Sequence, residues 1–227
     1  MKKLLTMSAL LLVALLLFTS CPSEPDPNAL PGSWPTTVSL HSSTITLFEK
    51  AGGGETGTLT PRGNKTFIYE LSDPTQLASY PNSNSYRLMP CSLTNDSDFT
   101  GFEAEATSTA GYYGFAFNIT TGTSWSYYML NLNDDSFQIK WANGSNSDLE
   151  IGWTRSAAIR ASGTNKILVY KDRNNHIIIK INDELVHTIE DPLFRSGRVG
   201  VVCCVTAEEC ASSDSIGTTF KFTKFQK

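Results

Sequence analysis

Between residues 111 and 119 the chain places Tyr113, Phe115, Phe117 and Ile119 at every second position, with Gly114, Ala116 and Asn118 between them. A β-strand turns successive side chains to opposite faces, so this period gives one apolar face and one face of small and polar groups. A helix would scatter the same residues around its circumference. Period two recurs through most of the chain. Residues 44–48 and 56–60 flank Gly52-Gly53-Gly54, a hairpin signature. Residues 67–69 and 86–88 are short candidate strands, and 102–106 alternates apolar with charged, as a strand with one wet face does. Residues 127–132 and 137–141 are joined by Asn133-Asp134-Asp135-Ser136, and 166–171 and 176–181 by Asn174-Asn175. Asn182-Asp183 then leads into 185–189, and 199–205 and 218–225 follow. Many short strands between turn signals, with no sustained helical period, predict an all-β sandwich.

The first 36 residues have a different character. Lys2 and Lys3 precede an apolar run from Leu4 to Phe18, and the small pair Thr19-Ser20 leads to Cys21. A charged start, a greasy centre and a small-residue processing site read as a secretory signal. With a cysteine at the junction, Phe18-Thr19-Ser20-Cys21 resembles the signal box of bacterial lipoproteins, although Phe18 stands where an aliphatic residue is usual. The resemblance implies cleavage after Ser20, acylation of Cys21 (palmitate among the chains) and a bacterial cell-envelope location. The apolar run is short for a bilayer span of roughly 20 residues, and Pro22, Pro25 and Pro27 break any helix that would continue it. The expected organisation is a signal peptide over 1–20, a lipidated cysteine and flexible tether over 21–36, and one β-sandwich domain over 37–227.

The chain has 18 basic and 22 acidic residues, a formal charge of −4. Loss of Lys2 and Lys3 with the signal takes this to about −6. An acidic surface argues against nucleic acid, whose phosphates need a basic footprint. The membrane is reached through the lipid anchor. Beyond Cys21, the cysteines Cys91, Cys203, Cys204 and Cys210 form an even set in an oxidising compartment, so disulfides are possible, and buried thiols are an equal alternative. No Cys-x-x-Cys pair exists and His41, His176 and His187 are scattered, so no metal set is expected, and no cofactor motif occurs.

A longer resemblance lies in the C-terminal half. Asn165-Lys166-Ile167-Leu168-Val169-Tyr170, the Asn174-Asn175 turn, Ile181-Asn182-Asp183-Glu184-Leu185-Val186 and Gly197-Arg198-Val199-Gly200-Val201 are similar to concanavalin A-like lectin/glucanase jelly rolls, including laminin-G-like and 3-keto-disaccharide-hydrolase-like domains. Gly114-Phe115-Ala116-Phe117 is similar to an upstream strand of theirs. The likeness covers about residues 99–225, and its motifs are structural. It implies a jelly-roll β-sandwich of two antiparallel sheets. Asp183 stands where the family usually has glycine in a hairpin turn; Asn182 and Asp183 both tolerate the positive φ that a type I′ turn needs. Gly197 and Gly200 bracket a strand start where backbones bend or pack closely.

Glycosidases of this family carry paired carboxylates on one strand as Glu-x-Asp-x-x-Glu, flanking the scissile bond. That motif is absent within this domain. Glu103 and Glu105 share a strand face, but a solvated outer face accounts for them better. No nucleophile elbow, phosphate loop or zinc-protease helix occurs. Asn131, Asn133, Asp134 and Asp135 offer oxygens suited to calcium, and an Asx-rich turn explains them more simply. His187 and Glu190 read as a surface polar pair. Sugar rings stack on aromatic faces beside polar side chains, which makes Trp125, Tyr127, Trp141 and Trp153 the candidate platform, with core or rim packing as the alternative. The expectation is a lipid-anchored module that binds glycan or a protein partner without catalysis. The alternatives are a divergent glycoside-active enzyme on Glu103, Glu105, Asp134 or Asp135, or a structural or antigenic surface lipoprotein.

Overall fold

The computed structural model describes residues 45–46, 58–71, 86–87, 91–94, 98–109, 112–120, 125–205 and 216–227. The signal segment, Cys21, the tether and Cys210 lie outside the described residues. Every regular element among those described is a strand. They are β1 (Ile45–Thr46), β2 (Thr58–Pro61), β3 (Thr66–Leu71), β4 (Tyr86–Arg87), β5 (Cys91–Ser92), β6 (Gly101–Ser108), β7 (Tyr112–Thr120), β8 (Ser126–Leu132), β9 (Ser136–Asn143), β10 (Asn146–Arg155), β11 (Asn165–Lys171), β12 (Ile177–Ile181), β13 (Glu184–Ile189), β14 (Arg198–Val205) and β15 (Ile216–Gln226).

They assemble into two antiparallel sheets. One has eight strands in the order β1-β2-β3-β15-β6-β11-β12-β13. The other has seven, in the order β10-β9-β8-β7-β14-β4, with β5 also paired to β14. The anticipated first hairpin is present as β1 against β2, with Ile45 opposite Leu59. The C-terminal strand β15 enters the eight-stranded sheet between β3 and β6, joining residues far apart in sequence.

Alternation decides what lies between the sheets. Phe102, Ala104 and Ala106 of β6, Ile167 and Val169 of β11, and Phe220, Phe222 and Phe225 of β15 point inward from the larger sheet. Phe115 and Phe117 of β7 and Tyr128, Leu130 and Leu132 of β8 meet them from the smaller one. Phe102 packs on Phe115 at 5.2 Å and Phe115 meets Phe220 edge to face at 5.5 Å, which welds the sheets at their centre. Each such aromatic contributes roughly 2–3 kcal/mol by leaving water.

Polar groups inside this core are paired. Asn165, fully buried on β11, donates to the Tyr113 hydroxyl of β7 at 2.8 Å and to the Arg160 carbonyl at 3.0 Å. Its carbonyl oxygen accepts from the Asn182 amide at 2.7 Å and from the Arg160 N–H at 2.9 Å. Asn182 and Asp183 both have positive φ, 50° and 70°, as a type I′ hairpin requires. Asn118 also lies at positive φ, 52°, where β7 and β8 shift register; its amide turns to the Phe194 carbonyl at 2.8 Å. Gly197 presses against the Asn118–Ile119 backbone, where no Cβ would fit, so the expected close packing at this strand start is met.

β10 was not legible as a strand. Residues 143–148 are polar, and its register slips twice, around Glu150 and between Ile151 and Thr154. Such bulges break the alternation on which strand reading depends, and they re-aim side chains. Here they turn Glu150 toward His187 of β13 across the sandwich edge, Oε1 to Nε2 3.7 Å, and Trp153 toward Tyr112 of β7. His187 Nε2 thus lies near Glu150 but beyond hydrogen-bond reach of it.

Candidate functional site

The outward face of the seven-stranded sheet is assembled from alternate residues of four strands. One row runs Gly114, Asn131, Gln138 across β7, β8 and β9. The next runs Ala116, Met129, Lys140, Leu149 and ends on β10. A third runs Tyr127, Ala142, Ser147. On the β7–β14 side this face is closed: Ala116 is fully buried and Val202 is 3 % exposed. On the β8–β10 side it holds a hollow of about 290 Å³ lined by Tyr127, Met129, Lys140, Trp141, Ala142, Ser147, Asp148 and Leu149.

The four sequence-flagged aromatics divide between positions. Tyr127 and Trp141 line the hollow, and Trp141 also packs against the core. Trp125 precedes β8, where its carbonyl accepts from the Gly144 N–H at 2.8 Å; it is exposed. Trp153 is exposed as well and meets Tyr112 edge to face, with ring centroids 5.7 Å apart. Sequence reading missed Tyr112, although its place one residue before the inward-facing Tyr113 puts it on the outer face. It also missed Ser147 and Leu149, because the bulges hid β10.

The carboxylates flagged by sequence are engaged elsewhere. Glu103 and Glu105 project from the outward face of the eight-stranded sheet. Glu103 is not solvated as anticipated: it is buried, accepts from the Thr223 hydroxyl at 2.7 Å and lies 3.5 Å from both Lys166 and Lys224. Burial pushes its carboxyl up, but that hydroxyl and the two ammonium groups outweigh burial and hold it below the ordinary carboxylate value. A general acid needs the reverse shift. Glu105 pairs with Lys221 at 3.4 Å. In the β8–β9 turn, Asn133 Oδ1 accepts the N–H groups of Asp135 and Ser136, as an Asx turn does. Asp135 pairs with Arg155 at 3.1 Å, and no cluster of metal ligands occurs among the described residues.

A second hollow, about 300 Å³, lies at one end of the sandwich among Ser108, Thr109, Tyr113, Asn133, Asp134, Ala161, Ser162 and Gly163. Burial raises the Tyr113 hydroxyl above its ordinary value, against the pull of the Asn165 amide. That hydroxyl is an acceptor in the core network, so this hollow offers no activated group. Cys91 stands opposite Val201 and Cys204 opposite Arg87 in the β5–β14 and β4–β14 ladders. No disulfide is found among the described residues.

No family model matches this chain, and no curated protein is similar to it. Solved structures do share its fold. A Bacillus licheniformis β-glucanase superposes with a TM-score of 0.53 at 11 % identity, over 90 % of this chain and 96 % of that one. A native glycosidic hydrolase also gives 0.53, at 10 % identity, over 86 % and 97 %. The fold is a concanavalin A-like jelly-roll sandwich. At these identities the likeness shows the fold alone, so function is argued from the chain's own surface.

Proposed function

We infer that this chain is a lipid-anchored recognition module of the bacterial cell envelope that binds glycan on the outward face of its seven-stranded sheet without catalysing a reaction. The observation that carries this reading is the hollow on β8–β10, in which Tyr127 of the outward face stands beside Lys140 and Ser147, while Trp141 and Asp148 border it from the inward-facing row. An aromatic wall with a few convergent polar groups is the composition of a small-ligand site. It suits a pyranose, whose C–H edge lies on a ring while its hydroxyls reach side chains. The paired acids Glu103 and Glu105 lie on the other sheet and are neutralised by lysines, which supports recognition over hydrolysis.

The test is binding of the mature domain to a glycan panel, with Trp125→Ala and Tyr127→Ala as variants. Tyr127→Ala is expected to weaken the best ligand at least about tenfold, the loss of roughly 1.4 kcal/mol of contact. Release of reducing sugar from that ligand, abolished by Glu105→Gln, would establish the enzymatic alternative instead. For the anchor, labelling with a fatty-acid analogue in a bacterial host is expected to mark the wild type and leave Cys21→Ser unmarked and in the soluble fraction.

A further inference from the structure

Next to the hollow, two aromatic rings close over the same face. β7 and β10 are three strand spacings apart, about 14 Å, with β8 and β9 between them. Tyr112 from the first and Trp153 from the last nevertheless meet at 5.7 Å. Asn131 and Gln138 stand side by side within that span and are only 2 % and 7 % exposed. Asn131 Oδ1 is buried and accepts no hydrogen bond. Buried acceptors are nearly always paired, so an orphan in an otherwise satisfied region calls for a partner. Close by, at the start of β9, Ser136 Oγ does find a partner, donating to Asp135. Trp153 is 43 % exposed and sits on a bulge beside Gly152, around whose Cβ position there is open space.

We propose that Tyr112 and Trp153 form a hinged aromatic lid over a saccharide subsite whose fixed acceptor is Asn131 Oδ1, and that the subsite takes neutral sugar units. This rests on the glycan-binding reading and narrows it. An amide oxygen can only receive a proton, so the ligand must bring a donor. A sugar hydroxyl does so on neutral and acidic units alike, so the acceptor fixes the class of ligand and not its charge. Selection against anionic sugars comes from Asp134 and Asp135 of the adjacent turn, whose negative charge Arg155 offsets by one. On entry, Trp153 leaves Tyr112, the sugar ring takes its place against the indole, and a hydroxyl donates to Asn131.

The experiment titrates the mature chain with neutral hexasaccharides of glucose, galactose and mannose in both α and β linkage, and with hexagalacturonate, following tryptophan fluorescence and heat. A neutral hexasaccharide is expected to bind with a change in indole emission that Trp153→Phe abolishes. Trp153→Ala, at an exposed position, is expected to weaken it at least about tenfold. Asn131→Leu, close in shape and without the orphan acceptor, is expected to hold or raise the melting temperature and to lose at least about tenfold in affinity. Loss of melting temperature with affinity unchanged would make Asn131 a structural residue and overturn the subsite. Unchanged binding in both variants, with Tyr127→Ala still weakened, would overturn the lid and leave the glycan function standing. Binding of hexagalacturonate alone would overturn neutral selectivity. Binding of no oligosaccharide to the wild type would overturn both readings.

Discussion

Glu103 shows how far a single residue departs from its sequence pattern. Alternation assigns it to an outer face, yet Thr223, Lys166 and Lys224 close around it, and all three come from strands that only the fold brings alongside β6. Replacing it with glutamine removes the charged acceptor and is expected to cost about 1–2 kcal/mol near neutral pH, the half-exposed lysines contributing little. The folded carboxyl titrates below its unfolded value, near 4.3. Its stabilising contribution is therefore complete above that value and is lost as pH falls through the lower folded one. Urea unfolding of wild type and Glu103→Gln should show a constant gap above about pH 5 that narrows toward pH 3; a gap independent of pH would refute the assignment.

The Asn182-Asp183 turn separates two roles that sequence left together. Both residues hold positive φ, but only Asn182 is tied inward, donating to Ala158 at 2.7 Å and Asn165 at 2.7 Å and accepting from the Lys166 N–H at 2.9 Å. Asp183 meets Lys166 at an exposed pair, 2.9 Å. Asp183→Gly is accordingly expected to change stability by less than about 1 kcal/mol, the backbone relief and the lost ion pair nearly cancelling. Asn182→Gly should cost about 2–3 kcal/mol, because it strips partners from the buried Asn165. Thermal melts of the two variants check this ordering directly.

Among the elements, β7 is the most constrained by its neighbour. A Cβ on Gly114 would fall within the Leu130 carbonyl of β8, so Gly114→Ala must push the strands apart or tilt the carbonyl. A loss of about 2–3 kcal/mol is expected, measured by denaturant melting, with the hollow on β8–β10 distorted and glycan affinity lowered alongside. β7 up to Phe117 and β8 from Tyr128 onward were legible in sequence because both faces alternate regularly there, short of the register shift at Asn118. β10 was not, for the opposite reason: its bulges and its largely exposed, polar side chains leave no period to read. The same bulges carry Glu150 to His187 and Trp153 to Tyr112, so the element hidden from sequence shapes one wall of the site.

At the scale of the molecule, the last strand is an interior one. β15 pairs with β3 on one side and β6 on the other and buries Phe220, Phe222 and Phe225 between the sheets. Deletion of residues 216–227 is expected to abolish cooperative unfolding and near-ultraviolet circular dichroism, because it splits the eight-stranded sheet and removes three aromatics from the centre of the core. A truncated chain that still melts as a single transition near the wild-type temperature would show that the core is carried elsewhere.

Period two, turn residues and the inward aromatics are local properties of the chain, and they determined the all-β sandwich class and most strand positions, while the jelly-roll type was implied by the family resemblance of about residues 99–225. Which strands neighbour one another, and hence which side chains share a surface, depends on contacts between residues as far apart in the chain as Thr66 and Lys221, and no local pattern encodes those. The tertiary structure alone therefore decided that Glu103 is an ion-paired acid and that Trp141 is shared between core and hollow. It also decided that Tyr112, Asn131 and Trp153, from three different strands, converge on one face.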